Sequence, residues 1–184
     1  MKTFVEIGSS SFDTLRHLCD KGWKGVMIEP IEIALNQVPD HDNLTKVYGA
    51  IDKDFGVRTL TKLKDEYFID PDIDKDYLGM ASMSEINLAK KLRPDLIEDV
   101  EVGCVTFEFL MDQLGITEID YLKIDTEGLD YDILSSIDFN KFNIKCIRVE
   151  HEHLDSSLLV DLLEQNNYFV DTLRYDIITI KEWN

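Results

Sequence analysis

The sequence is short of basic residues, cysteine, proline and glycine, and each shortage excludes something. Nineteen Lys and Arg stand against 37 Asp and Glu, for a formal charge of −18. So acidic a surface repels phosphate backbones and anionic lipid heads, which argues against nucleic-acid and membrane partners. The 3 cysteines, Cys19, Cys104 and Cys146, are odd in number, widely spaced and set among apolar neighbours. That pattern suits reduced core thiols, not a disulfide framework or a zinc site. With 9 Gly and 4 Pro there is no linker to divide the chain, and no internal repeat is visible. No apolar run is long enough to cross a bilayer, and Met1–Glu6 carries no secretory apolar stretch, so a cytoplasmic protein is expected.

What remains is a soluble-protein composition, 44% hydrophobic over 184 residues, enough for one domain spanning 1–184 with a proper core. Phe4 to Ile7 reads as a buried strand, Gly8 to Ser11 as a turn, and Phe12, Leu15, Leu18 and Cys19 as one helical face. A second strand, Gly25 to Ile28, ends at Glu29-Pro30 and is followed by a helix bearing Ile31, Ala34, Leu35 and Val38. Further strands are expected at Lys46 to Ile51, Gly56 to Leu63, Val100 to Val105, Ile119 to Ile124 and Ile144 to Val149. Helices follow the last three, and Tyr168 to Tyr175 with Ile177 to Lys181 close the chain as a strand pair. Alternation of strand and helix implies an α/β fold, a mostly parallel sheet with helices on both faces and an antiparallel edge. Residues 64–98 break the rhythm and read as a cap or insertion; their alternate acids Asp70, Asp72, Asp74 and Asp76 lack the glycine and closing Glu of a calcium loop and suit a solvated turn.

In such sheets ligands sit at the carboxyl ends of the strands. Three acidic ends are notable: Glu6 before Gly8, Glu29, and the stretch "KIDTEG" with Asp125 and Glu127. A carboxylate at Glu29 can accept two hydrogen bonds from a ribose diol, as found in nicotinamide dinucleotides and in S-adenosylmethionine. The loop "EIGSSSFD" has one glycine and no basic residue, unlike a pyrophosphate cradle, and favours the cofactor without phosphates. For Asp125 and Glu127 two readings stay open: a cleft-facing pair, or caps of the helix behind them together with Thr126 and Asp130. Asp125, Glu127, Glu150, His151 and His153 would make a set for a divalent metal such as magnesium or calcium, but strand alternation sends His151 away from Glu150, so no metal ligand is assigned.

The order "FVEIGSSSFDTL", "GVMIEP", "VYGAID", "GMASMSE", "CVTFEFLMDQLGI", "IDYLKIDTEGLDYDIL", "IKCIRVEHEH" resembles, over nearly the whole chain, the FkbM family of S-adenosylmethionine-dependent methyltransferases. "LKIDTEG" is similar to that family's L-K-I-D-x-E-G signature. The resemblance implies a Rossmann-like class I methyltransferase fold. It implies S-adenosylmethionine held by Glu6, Gly8, Ser9, Ser10, Glu29, Pro30, Ala50, Ile51, Ser82 and Asp125, with Glu29 on the ribose and Ala50 and Ile51 beside the adenine. It further implies O-methylation of a small polar acceptor, a sugar or secondary metabolite, with Asp125 and then His151 as catalytic candidates. The first loop departs from the family's Asp-x-Gly-Ala-Asn-x-Gly: Phe12 stands where the last glycine would be. A ring turned inward there would crowd the cofactor, and a non-catalytic binding module on the same fold is the alternative.

Overall fold

The computed structural model of the chain describes residues 1–11, 14–70, 72–73, 76–84, 94–152 and 154–181. Its strands are β1 (Thr3–Ile7), β2 (Lys24–Glu29), β3 (Leu44–Tyr48), β4 (Ala50–Ile51), β5 (Gly56–Leu63), β6 (Ile97–Val105), β7 (Glu118–Ile119), β8 (Tyr121–Ile124), β9 (Asn143–Ile144), β10 (Cys146–Glu150), β11 (Tyr168–Thr172) and β12 (Asp176–Lys181). The helices are α1 (Glu32–Gln37), α2 (Asp76–Gly79), α3 (Phe107–Leu114), α4 (Asp130–Ser135) and α5 (Ser156–Gln165), with 3-10 turns at Leu15–Lys21 and Asp65–Phe68.

The main sheet runs β11-β12-β10-β8-β1-β2-β3, parallel except for β12. The antiparallel strand therefore lies one place in from the edge, which β11 occupies. Helices cover both faces, as the alternation of elements implies. On one side Phe107, Met111, Ile133, Leu134, Leu159 and Leu163 bury against Val5, Ile7, Leu122, Ile124, Ile147 and Val149. On the other, Leu15, Leu18 and Cys19 of the 3-10 turn and Leu35 and Val38 near α1 close over Phe4 and Met27. Strand residues alternate between these two cores because successive side chains point to opposite faces. Among the described residues no helix is long and apolar enough to cross a membrane.

Three expected strands are each two. Lys46 to Ile51 breaks at Gly49: β3 belongs to the main sheet, and β4 leaves it to pair with β6 in a small sheet of order β4-β6-β5. Ala50 then points into a separate apolar cluster with Ile31, Leu60, Phe68 and Leu96, while Ile51 points into the main core. Ile119–Ile124 and Ile144–Val149 break at Asp120 and Lys145, where β7 and β9 peel off as a short parallel pair. Asp120 holds that corner, accepting from the Thr3 N–H at 2.8 Å while its own N–H donates to the Thr3 carbonyl. β6 also begins three residues earlier than expected, at Ile97, because it pairs along the full length of β5, Leu63 opposite Ile97. The described part of residues 64–98 is thus the connection between β5 and β6, anchored by the buried Phe68 and Leu96.

Candidate active site

The strand ends meet around Gly8. Its N–H donates to the Ile28 carbonyl at 3.0 Å, and the Asp125 N–H donates to the Ile7 carbonyl at 3.0 Å, so β2, β1 and β8 are laced together at their tips. The chain passes so close to β8 that a Cβ on Gly8 would lie 1.8 Å from the Asp125 carbonyl oxygen, and φ is +76°. Only glycine fits there. Above this junction opens a cleft walled by Gly8, Ser10, Glu29, Pro30, Ala50 and Ile51 on one side and Asp125, Thr126 and Glu127 on the other.

Glu29 closes one end. It is 4% exposed, and its two oxygens accept from the Ser10 N–H at 2.7 Å and the Ile31 N–H at 2.9 Å. Burial pushes its pKa up to about 7, against the pull of those two N–H groups. An ionised carboxylate has about four lone-pair sites, so two remain for a ligand. Ser10 takes a positive φ of 46° to reach Glu29, and its hydroxyl donates to the Leu78 carbonyl at 3.1 Å, latching the first loop to α2. Leu60, Leu78, Ala81 and Met83 complete the apolar wall. Periodicity could not flag the last three, because no regular element spans the segment that carries them.

At the other end Asp125 lies 3.5 Å from the Lys123 ammonium; burial raises its pKa and Lys123 opposes the rise. Asp125, Glu127 and Glu150 each place one carboxylate oxygen within 4.8 Å of the others. Burial, and then repulsion from Asp125 and the other neighbouring acids, pushes Glu127 up to about 8 and Glu150 up to about 9. Such a cluster shares protons, and its hard oxygens are also the kind of donors that magnesium or calcium takes. Of the two histidines weighed as metal ligands, the His151 ring is bonded to the Leu173 carbonyl at 3.0 Å, and His153 lies outside the described residues. His151 is therefore turned toward the 173–175 turn and not toward Asp125.

The capping role divides differently from either reading. Asp130, 1% exposed, accepts from the Thr126 N–H at 2.9 Å and the Gly128 N–H at 3.0 Å, which folds the "DTEGLD" turn and frees Asp125 and Glu127 to face the cleft. Its own pKa is pushed up to about 6 by burial. Ser82 is buried and supports the same turn: its hydroxyl donates to the Glu127 carbonyl at 2.6 Å. Glu6 is fully buried below the cleft, with Lys123 and the Leu15 N–H as partners. Ser9 is buried as well, so among the described residues of the first loop only Gly8 and Ser10 line the wall. Phe12 and Asp74 lie outside the described residues; Asp70 accepts from the Asp72 N–H at 2.9 Å, as a local acidic turn would.

Glu29, Glu127, Glu150 and Asp130 all have folded-state values above those of free carboxyls. The folded chain therefore binds more protons than the unfolded one between about pH 4 and pH 9, and its stability falls as pH rises through that window. The melting temperature is expected to drop between about pH 5 and pH 9, in contrast to a protein dominated by ion-paired carboxylates. Scanning calorimetry across that range checks this; a flat or rising curve would contradict the cluster.

A sequence model of the methyltransferase FkbM domain matches residues 4–171. No curated protein matches by sequence. Among solved structures, the chain is similar to the fibrillarin/Nop5p complex, with 12% identity and a TM-score of 0.44 over 99% of this chain and 73% of that one. It is also similar to a TehB-like SAM-dependent methyltransferase from Corynebacterium glutamicum, with 9% identity and a TM-score of 0.40 over 98% and 80% of the respective chains.

Proposed function

The chain belongs to the FkbM methyltransferase family, an S-adenosylmethionine-dependent family, and from that premise we propose that the cleft over Gly8 binds S-adenosylmethionine and that the acceptor is a hydroxyl of a small polar molecule such as a sugar or secondary metabolite. The observation that carries the reading is a pair of acids, the buried Glu29 and the half-buried Asp125, at opposite ends of one cleft across a glycine that brings the backbone close.

In this reading Glu29 accepts the ribose hydroxyls with its remaining lone pairs, Pro30 shapes the same corner, and Ala50, Ile51 and Leu60 flank the adenine. The Gly8–Ser10 backbone approaches the amino-acid end. Asp125 faces the sulfonium and the acceptor. Bound cofactor supplies an electrophilic methyl on a sulfonium. That methyl would be open to in-line displacement by the acceptor oxygen with a neutral thioether as leaving group, and Asp125 would hold the acceptor hydroxyl and take its proton. Burial, which raises the Asp125 carboxyl against the pull of Lys123, makes it a better base than a free aspartate. Ser82 and Asp130 act behind the wall by fixing the turn that carries Asp125 and Glu127.

Titration calorimetry with S-adenosylhomocysteine tests the placement. Glu29→Ala should cost about 1–3 kcal/mol of affinity, because two ribose hydroxyls lose their acceptor. In the unaltered protein, affinity should rise with pH through about 7 as Glu29 ionises. Unchanged binding in Glu29→Ala would move the ribose elsewhere.

A further inference from the structure

Lys123 sits where a lysine is costly. It lies on a central strand, 3% exposed, between Leu122 and Ile124 of the main core, in register with the fully buried Glu6 on β1. Its ammonium is 3.3 Å from Glu6 Oε1 and 3.5 Å from Asp125 Oδ2, and Glu6 Oε2 accepts from the Leu15 N–H at 2.9 Å. Exposure rises along this row, from 0% at Glu6 through 3% at Lys123 to 33% at Asp125, so the chain of charges leads from the interior out to the cleft. Replacing a buried ion pair by apolar groups is often neutral or stabilising, so stability does not account for the lysine. The third partner does.

We infer that Lys123 is a positioning residue for methyl transfer: anchored by Glu6, it holds the Asp125 carboxylate from beneath, on the side away from the cleft. The inference rests on the methyl-donor reading of that cleft. Side chains two apart on a strand share a face, so Lys123 reaches the underside of Asp125 without entering the site. Glu6 fixes the ammonium laterally through the parallel register of β1 and β8 and ties it to the start of the 3-10 turn at Leu15. Arg148, in register with Lys123 on β10, is bonded at two points to Asp176, at 3.0 and 2.9 Å. Among the described residues the cation within ion-pair distance of Asp125 is Lys123.

The test is a mutant cycle read by S-adenosylmethionine affinity in calorimetry, which needs no acceptor. Glu6→Gln with Lys123→Met removes one charge of each sign, so the net charge under the site is unchanged and Gln still accepts from Leu15. Asp125→Asn alone is expected to weaken S-adenosylmethionine binding about tenfold, since the carboxylate no longer faces the sulfonium. The Glu6→Gln/Lys123→Met protein should lose about as much, and adding Asp125→Asn to it should lose nothing further, because residues that act through one another do not add. Losses that multiply, or a double variant that binds like the unaltered protein, overturn the inference. Lys123→Arg, which needs no second change and keeps a cation between the two carboxylates, covers the case in which the double variant does not fold. It should bind within about threefold of the unaltered protein; a loss as large as that of Asp125→Asn overturns the positioning role. Absence of S-adenosylmethionine binding in the unaltered protein would instead refute the reading of the cleft, and the inference with it.

Discussion

Asp125→Asn should lower turnover by roughly 10²–10⁴-fold while the protein folds and keeps its affinity for the neutral product S-adenosylhomocysteine within a few-fold. Asparagine has the shape of aspartate but neither its charge nor its basicity. The side chain is one-third exposed, at the lip of the cleft, and the turn behind it is held by Asp130 and Ser82, so its replacement leaves the wall standing. The thioether product carries no charge at sulfur and has little to lose from the missing carboxylate; the sulfonium and the departing proton do. Turnover on an identified acceptor, set beside product affinity, separates the two effects. Full turnover in the variant would remove Asp125 from the chemistry and leave the carboxylate cluster with a structural task.

Gly8→Ala should be worse for the whole protein. Two costs coincide: a positive φ of 76°, which costs an L-residue roughly 1–2 kcal/mol, and a Cβ at 1.8 Å from the Asp125 carbonyl oxygen. The second is a collision with backbone on a central strand, and no rotamer change relieves it. β1 and β8 must part at their tips, which breaks the bond from the Asp125 N–H to Ile7 and opens the cleft floor. A loss of about 3 kcal/mol or more, a melting temperature about 10 °C lower and no detectable cofactor binding are expected. Gly22→Ala isolates the first cost. There φ is 82° but nothing lies within 4 Å of the added carbon, so the fall should be about a third as large. Equal losses at both positions would mean that the close approach at Gly8 contributes nothing.

Much of this architecture could be read from local pattern. The apolar runs around Val5, Met27 and Leu122 mark the central strands, and the stripe from Phe107 to Leu114 marks a helix, ended at Gly115 and capped at its start by Thr106, whose hydroxyl accepts from the Phe109 N–H at 3.2 Å. Glu29 and Asp125 are legible for a similar reason: each is the first carboxylate after an apolar strand. The departures have a common cause, which is that they depend on partners distant in sequence. Nothing near Glu6 announces Lys123, 117 residues away, so an acid that turns inward looks the same as one that turns to a ligand. Residues 46–51 read as one strand because apolar spacing continues across Gly49; only the pairing of Ala50 with Cys104 reveals that the chain has changed sheets. Leu78 and Met83 line the cleft through the fold of the β5–β6 connection, and their own neighbours carry no period that shows it.

The change of sheets at Gly49 has a thermodynamic side. The main sheet and the small one have separate apolar clusters, and the cleft takes wall residues from both: Ile7 and Ile28 from one, Ala50 and Leu60 from the other. A molecule that fits the cleft can bind fully only when both are folded and docked, so its binding free energy doubles as cohesion between them. Binding is therefore expected to draw the two clusters into one cooperative unfolding transition.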